Sequence, residues 1–382
     1  MSDGGKVLFY VQHLLGVGHI FRSMRIVAGL VANGFEVDLI HGGQKLDNFR
    51  DEGANVHFLP SLNSARGDFS RLITEDGSVA DDRYRERRRD LVLDIFSDSQ
   101  PDVVITEAFP FGRRQMHFEL LPLMEAVQAQ SSRPRVLASI RDILQEGNKP
   151  AKDRQTVDFI GRYFDGVLVH GDRSLVDLSE TFPLTREIED KLFYTGIVTP
   201  SKDDDLPGTD DRYDVVVSAG GGLLGRELLF AAAEAKQHSL LKDARWCLVT
   251  GPFMEDHDRQ RLEQYGIDVF AFVPDLYRIL KSAWLSVSLT GYNTVADIMA
   301  AGCRAIVAPQ WNEEETEQLR RAEMLAERGM VTMLAHDDKT PTALNAAIER
   351  SMSAPPPDWS SIRQDGANET ARVLRNVLSG SR

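Results

Sequence analysis

Short apolar runs rich in Val, Leu, Ile and Phe alternate along the chain with longer segments in which apolar residues recur at helical spacing. Val7–Val11, Val37–Ile40, Val56–Leu59, Val103–Thr106, Arg135–Ser139 and Gly166–His170 read as strands. Helices are expected between them, among others over roughly 21–33, closed by Gly34, and roughly 82–97. Such alternation predicts parallel sheets with helices on both faces. At Thr199–Asp211 apolar residues almost vanish and Pro, Gly and Asp take over, which marks an interdomain linker. The pattern then restarts: Tyr213–Ser218, a glycine turn, a helix over roughly 226–238, and strands at Trp246–Thr250, Val269–Phe272, Leu285–Ser288 and Ala305–Ala308. The expected class is α/β, with two doubly wound parallel-sheet domains at 1–198 and 213–357 joined by a linker at 199–212.

Composition narrows the choice of partner. A chain of 382 residues suits two domains of ordinary size. With 44 Lys+Arg against 58 Asp+Glu the net charge is −14, which argues against wholesale nucleic-acid binding. Cys247 and Cys303 lack Cys-x-x-Cys spacing and sit in or beside apolar runs, so buried thiols in a reducing compartment are expected. The first residues lack the pattern of a signal peptide, and no stretch approaches the ~18 apolar residues of a membrane span. A cytoplasmic location is the expectation. The acidic runs Asp203–Asp205 and Glu313–Glu315 read as solvated linker and as the charged first turn of a helix, not as metal sites.

Three glycine turns stand where a strand gives way to a helix, a place where unsatisfied N–H groups and the helix dipole favour anions. They are Leu15–Ile20, Ser218–Gly225 and Ser288–Gly302. The first lacks the full G-x-G-x-x-G spacing and no acidic residue closes the second strand, which weakens a dinucleotide-dehydrogenase reading. The second has no Gly-Lys-Ser/Thr and is not a P-loop; it is either a tight turn or a close backbone approach to a ligand. In the third, Asn293 or Thr294 could be a helix N-cap and Asp297 a solvated side chain, or all three could meet a ligand.

Taken in order, Gly16-x-Gly18-His19, Gly220-Gly221-Gly222, Phe272-Val273-Pro274-Asp275-Leu276, Thr290-Gly291-x-x-Thr294-x-x-Asp297 and Glu317-Gln318 span both halves, from Val7 to Gly329. With them the sequence resembles the two-domain GT-B glycosyltransferases, most closely the branch that holds the bacterial peptidoglycan N-acetylglucosaminyltransferase MurG and plant galactolipid synthases (family 28-like). The resemblance implies two Rossmann-like domains with the site in a cleft between them, and C-terminal helices, here about 358–380, crossing back onto the first domain. It implies a UDP-sugar donor bound mainly by the second domain. Phe272 and Val273 would meet the base and Asp297 the ribose. Gly221, Gly222, Thr290, Asn293 and Thr294 would cradle the diphosphate, with Gly18, Gly220 and Gly291 also at the donor. Gln318, with Glu317 or Glu314, would clamp the sugar hydroxyls. Two departures stand out: Asp297 replaces a glutamate, and Gly220–Gly225 is one residue longer than the family pattern.

Glycosyl transfer requires an acceptor hydroxyl to lose its proton as it attacks the anomeric carbon, and a leaving nucleoside diphosphate to be stabilised. Backbone N–H groups and a helix N-terminus can do the second without a metal, so no metal and no cofactor is expected. His19 is the first candidate for the base, because its unperturbed pKa suits the task. Glu107 and Asp142, after first-domain strands, are its rivals. Phe109, Arg113, Arg114 and Arg141 are candidates for the acceptor, the guanidinium fork matching phosphate or carboxylate. The cluster Arg83, Arg85, Arg87, Arg88 and Arg89 is either a solvated helix face or a contact to anionic lipid headgroups, a peripheral membrane contact at the inner face. The expected activity is an inverting, metal-independent transfer from a UDP-sugar, N-acetylhexosamine among the candidates, to a hydroxyl of a glycan or lipid-linked acceptor. Two alternatives remain: a nucleotide-sugar hydrolase or 2-epimerase, and a non-catalytic nucleotide-sugar-binding partner in a glycan assembly complex.

Overall fold

The computed structural model describes residues 4–14, 18–45, 49–65, 68–145, 150–201, 212–220, 225–251, 254–311 and 316–380. The chain divides into two compact units. One comprises Met1–Leu144, Asn148–Val198 and Asp365–Arg382; the other comprises Gln145–Gly147 and Thr199–Gln364.

In the first unit, β1 (Lys6–Val11), α1 (Gly18–Ala32), β2 (Glu36–His41), β3 (Asn55–Phe58), β4 (Asn63–Ala65), β5 (Asp68–Ile73), α2 (Asp82–Ser99), β6 (Val103–Glu107), α3 (His117–Gln128), β7 (Arg135–Arg141), α4 (Pro150–Tyr163), β8 (Gly166–His170) and β9 (Leu192–Tyr194) follow one another. Seven strands form one sheet in the order β3-β2-β1-β6-β7-β8-β9, with every pairing parallel. The interior strands read as continuous apolar runs because both faces are covered: Val7, Leu8, Phe9, Tyr10 and Val11 are all buried. The polar stretch after β3 conceals an antiparallel hairpin, β4 with β5, whose strands carry no apolar alternation to announce it. Sequence order reverses between β1 and β6, and open parallel sheets bind ligands beyond the carboxyl ends of strands at such a switch.

In the second unit, β10 (Val215–Ser218), α5 (Arg226–Lys236), β11 (Trp246–Val249), α6 (Asp256–Glu263), β12 (Asp268–Phe270), α7 (Leu276–Leu280), β13 (Leu285–Ser288), α8 (Tyr292–Ala301), β14 (Arg304–Val307), α9 (Glu317–Glu327), β15 (Thr332–Met333) and α10 (Pro341–Ser353) repeat the plan. The sheet order is β12-β11-β10-β13-β14-β15, again all parallel, with its switch between β10 and β13. Both cysteines are buried and free, and burial pushes both thiols up to about 12. The chain then returns to the first unit, where α11 (Gly366–Ser379) packs on α1. There Ala371, Val373 and Leu374 are buried, Asn33 Nδ2 donates to Asn368 Oδ1 at 2.8 Å, and Gly29 approaches Ala367 so closely that a Cβ would meet it at 2.6 Å. Among the described residues no helix is long and apolar enough to cross a membrane.

Candidate active site

The switch point of the first unit gathers polar and charged side chains from α1, the end of β6 and the loop that follows it. α1 starts just beyond β1 and carries His19 and Arg22 one turn apart, so both reach the same side of the helix. The register that sets Tyr10 beside Thr106 brings Glu107, the last residue of β6, alongside them. His19 Nδ1 lies 2.7 Å from Glu107 Oε1, and Arg22 Nη2 donates to the same oxygen at 2.5 Å. Arg113 Nη2 stands 3.6 Å from Glu107 Oε2.

Burial alone would raise the Glu107 carboxyl pKa, but His19, Arg22 and Arg113 outweigh it and hold the group well below the usual carboxylate range. Burial also dominates at His19: against the pull of Glu107, and helped by Arg113 and Arg141, it pushes the imidazole down to about 4. At neutral pH the pair is therefore a carboxylate and a neutral imidazole. An ionised carboxylate only accepts, so Nδ1 carries the ring proton and Nε2 the lone pair. The His19 side chain keeps 23 % of its surface accessible while Glu107 has none.

Buried polar groups behind these side chains fix this arrangement. Arg113 Nε donates to the carbonyl of Gln12 at 2.6 Å. Gln12 Nε2 donates to the carbonyls of His13 and Leu62, at 2.8 and 2.9 Å, and its Oε1 accepts from Arg88 Nη2 at 2.9 Å. Arg88 is wholly buried; Nε and Nη2 engage Glu119 at 2.9 and 2.8 Å, and Nη1 donates to the carbonyls of Gly42, at 2.9 Å, and Pro60. Tyr10 donates its hydroxyl to Glu119, and burial and that carboxylate raise the phenol well above its ordinary value. Each charge in this chain has a partner, as burial demands.

In the second unit the loops after β10 and β13 flank the switch point. Gly220 has φ +69, and Gly225 opens α5 so close to Ala219 that a Cβ would lie 2.2 Å from that side chain. Gly291 caps α8 without a side-chain bond, which leaves the first-turn amides at the carboxyl end of β13. Ser288 Oγ and Thr290 Oγ1 are buried there with no hydrogen-bond partner. α9 pins this loop: Gln318 Oε1 accepts from Thr290 N at 3.1 Å and Gln310 N at 3.3 Å, and Arg321 Nη1 donates to Thr290 O at 3.0 Å. Asp297, on α8, is buried, whereas Phe272 stands 39 % exposed just after β12 with Val273 half-buried behind it. Among the described residues no three His, Cys, Asp or Glu side chains gather to hold a metal ion.

Residues 216–373 match the glycosyltransferase family 28 C-terminal domain. A glycosyltransferase of Methanosarcina mazei, itself uncharacterized, is 20 % identical over 332 residues, covering 84 % of this chain and 83 % of its own. The UDP-N-acetylglucosamine--N-acetylmuramyl-(pentapeptide) pyrophosphoryl-undecaprenol N-acetylglucosamine transferase of Thermotoga maritima is 23 % identical over 210 residues, which are 55 % of this chain and 58 % of that enzyme. The crystal structure of Acinetobacter baumannii MurG shares the fold at a TM-score of 0.58 and 15 % identity, over 97 % of this chain and 99 % of that one. The chain carries a glycosyltransferase family 28 C-terminal domain, and its fold is the GT-B fold of these glycosyltransferases.

Several expected contributors stand elsewhere than the sequence implied. Glu107 is no free rival of His19 but its hydrogen-bonded partner. Asp142 is buried and accepts from Ile143 N at 2.9 Å. Phe109 lies in the core against His117, Phe159 and Phe164, so it offers no face to an acceptor. Arg114 is bound to the carbonyl of Lys152, at 2.9 Å, and to Thr156. Glu317 is buried and paired with Arg321 at 2.8 Å, which removes it from the set expected at the donor sugar. Arg88 is not part of a surface cluster; Arg85 pairs with Asp82 and Arg89 with Asp90, so the local excess of positive charge is small. Gly18, Gly291, Asn293, Thr294 and Arg141 are partly accessible or border the two switch points. Gly221, Gly222 and Glu314 lie outside the described residues. Sequence reasoning missed Arg22, although its place three residues after His19 on one helix was a usable signal.

Proposed function

We propose that the enzyme moves a sugar from a UDP-sugar to a hydroxyl of a glycan or lipid-linked acceptor, with inversion and without a metal ion. The observation that carries this reading is the 2.7 Å contact between His19 Nδ1 and the buried Glu107 carboxylate. His19 Nε2 takes the acceptor proton as the hydroxyl oxygen forms its bond to the anomeric carbon and the bond to UDP breaks. The imidazolium so formed gains the Glu107 charge at its other nitrogen, so the pair binds the transition state better than the ground state. Glu107 and Asp142 are both buried and bonded inward, so neither is available as a nucleophile, which favours one displacement and hence inversion.

For the donor, Phe272 offers an exposed face to the base and Asp297 a carboxylate to the ribose. The amides opening α8 and the unpartnered hydroxyls of Ser288 and Thr290 suit a diphosphate. Gln318 remains for the sugar hydroxyls. A lipid-linked acceptor is supported by the undecaprenol-linked substrate in the name of the Thermotoga relative. A thermal-shift screen of UDP-, GDP- and dTDP-sugars identifies the donor, and turnover is then followed with His19→Gln and with EDTA. UDP-sugar binding retained by His19→Gln with turnover lost, and wild-type activity that survives EDTA, are expected. Undiminished turnover in the variant, or loss in EDTA rescued by Mg²⁺ or Mn²⁺, refutes the mechanism.

A further inference from the structure

A carboxylate against one imidazole nitrogen ordinarily raises the basicity of the ring and draws a proton onto the other nitrogen. Here the carboxylate is shared. Arg22 Nη2 takes the same oxygen as His19 Nδ1, and Arg113 Nη2 stands 3.6 Å from the other. Arg22 leaves α1 one turn beyond His19, so the helix presents both donors to one acceptor atom. Arg113 is held with equal definition. Its backbone sits in the left-handed region at φ +59, its Nε is fixed on the Gln12 carbonyl, and Nη2 is buried with no hydrogen-bond partner. A non-glycine residue keeps such a conformation only where its surroundings demand it.

We propose that Arg113 and Arg22 are positioning residues that bracket Glu107, so that it orients the His19 ring through Nδ1, while their positive charge, in addition to burial, opposes a second proton at Nε2. This assigns Arg113 a task other than acceptor binding, and it rests on the reading of His19 as the base. The charged groups acting on the imidazole are Glu107 from β6, Arg113 from the loop after it and Arg141 from the end of β7; Arg22 from α1 acts on the Glu107 carboxylate, and His13, beyond the end of β1, is itself lowered by His19. His170, from β8, faces Arg22 and Glu107 and is itself held neutral by burial. Cations outnumber the single carboxylate.

The test is an NMR titration of ¹³C/¹⁵N-histidine-labelled full-length protein, with His19 assigned by its loss in His19→Gln. In the wild type the His19 ring should titrate far below its ordinary 6.5, near 4. Arg113→Gln should raise that midpoint by about one pH unit or more, because a positive charge that opposes the imidazolium is removed. The acid limb of kcat/KM should move with it. Arg22→Met, which fills the same buried space without charge, should act in the same direction and provides a second variant should the first not fold. A wild-type midpoint at or above 6.5, or unchanged midpoints in the variants, overturns the proposal. If Arg113→Gln raises only the acceptor KM and leaves the titration unmoved, Arg113 is an acceptor contact and the proposal is wrong. Turnover surviving in His19→Gln would sink the base assignment instead, leaving the titration result standing.

Discussion

Glu107→Gln separates charge from shape at the centre of the first unit. The amide keeps the size of the carboxyl and can still accept the Nδ1 proton of His19 through its oxygen, but it loses the negative charge 2.7 Å from that nitrogen. With charge centres roughly 4 Å apart and an effective dielectric constant of about 20, the attraction between carboxylate and imidazolium is about 4 kcal/mol. Since each 1.36 kcal/mol is about tenfold in rate, the forfeited stabilisation of the transition state corresponds to a fall of about 10²–10³ in kcat. Arg22 and Arg113, left facing a neutral amide, oppose the imidazolium further and act in the same direction. In the proposed reading other residues hold the donor, so its affinity should not change. Initial rates of nucleotide release with acceptor present, together with calorimetric binding of UDP, measure both quantities. A variant that retains its rate within about threefold while binding UDP normally would show that the carboxylate does not act on the base, and the reasoning from the 2.7 Å contact would fail.

The first unit should lose stability on acidification in a window set by its histidines. His13, His19 and His41 are pushed down to about 4 and His170 to about 3, in each case chiefly by burial, so between their ordinary 6.5 and those values the unfolded chain binds protons that the folded one does not. Stability therefore falls as pH drops from about 6.5 toward 4, by up to about 1.4 kcal/mol per pH unit for each histidine; denaturant unfolding that is flat between pH 7 and pH 5 contradicts this. Arg88→Ala removes the guanidinium that pairs with Glu119 in the core and leaves that side chain only the Tyr10 hydroxyl, and should cost about 3–5 kcal/mol in urea unfolding, whereas less than about 1 kcal/mol would mean the network is dispensable. Asp297→Ala should weaken UDP binding about tenfold or more by calorimetry if the carboxylate meets the ribose, and an unchanged affinity removes it from the site.

How much of this was legible in the sequence follows from which forces are local. Strand runs such as Val7–Val11 and Val215–Ser218 are apolar on both faces, so each announces a buried parallel strand without help from its neighbours. The alternation with helices then fixes the fold class, and the glycine turns mark where each sheet reverses its order. The hairpin at β4 and β5 was not legible: β4 has three residues, and Asp68–Ile73 does not alternate apolar with polar. Short β15 escaped for a similar reason, two residues being too few to show a period.

The site was legible in its residue types and not in its pairings. His19 and Glu107 are 88 positions apart, and Arg22 and Glu107 are 85 apart, so only the register of β1 on β6 brings them together. A single sequence therefore presents partners as competitors, which is how Glu107 came to stand as a rival to the histidine it orients. The arginine run of α2 fails in the opposite way, because five like residues suggest one role. Helical spacing separates them: Arg88, Val92 and Phe96 recur every four residues on the buried face, and Glu119, Leu123 and Val127 do the same on α3. Two opposite charges, each occupying an apolar stripe of its own helix, predict a buried ion pair wherever those helices pack together. Because that pair holds Gln12, and Gln12 accepts from Arg113, the placement of the guanidinium beside Glu107 depends on side chains that a surface reading of the same arginines would assign to solvent.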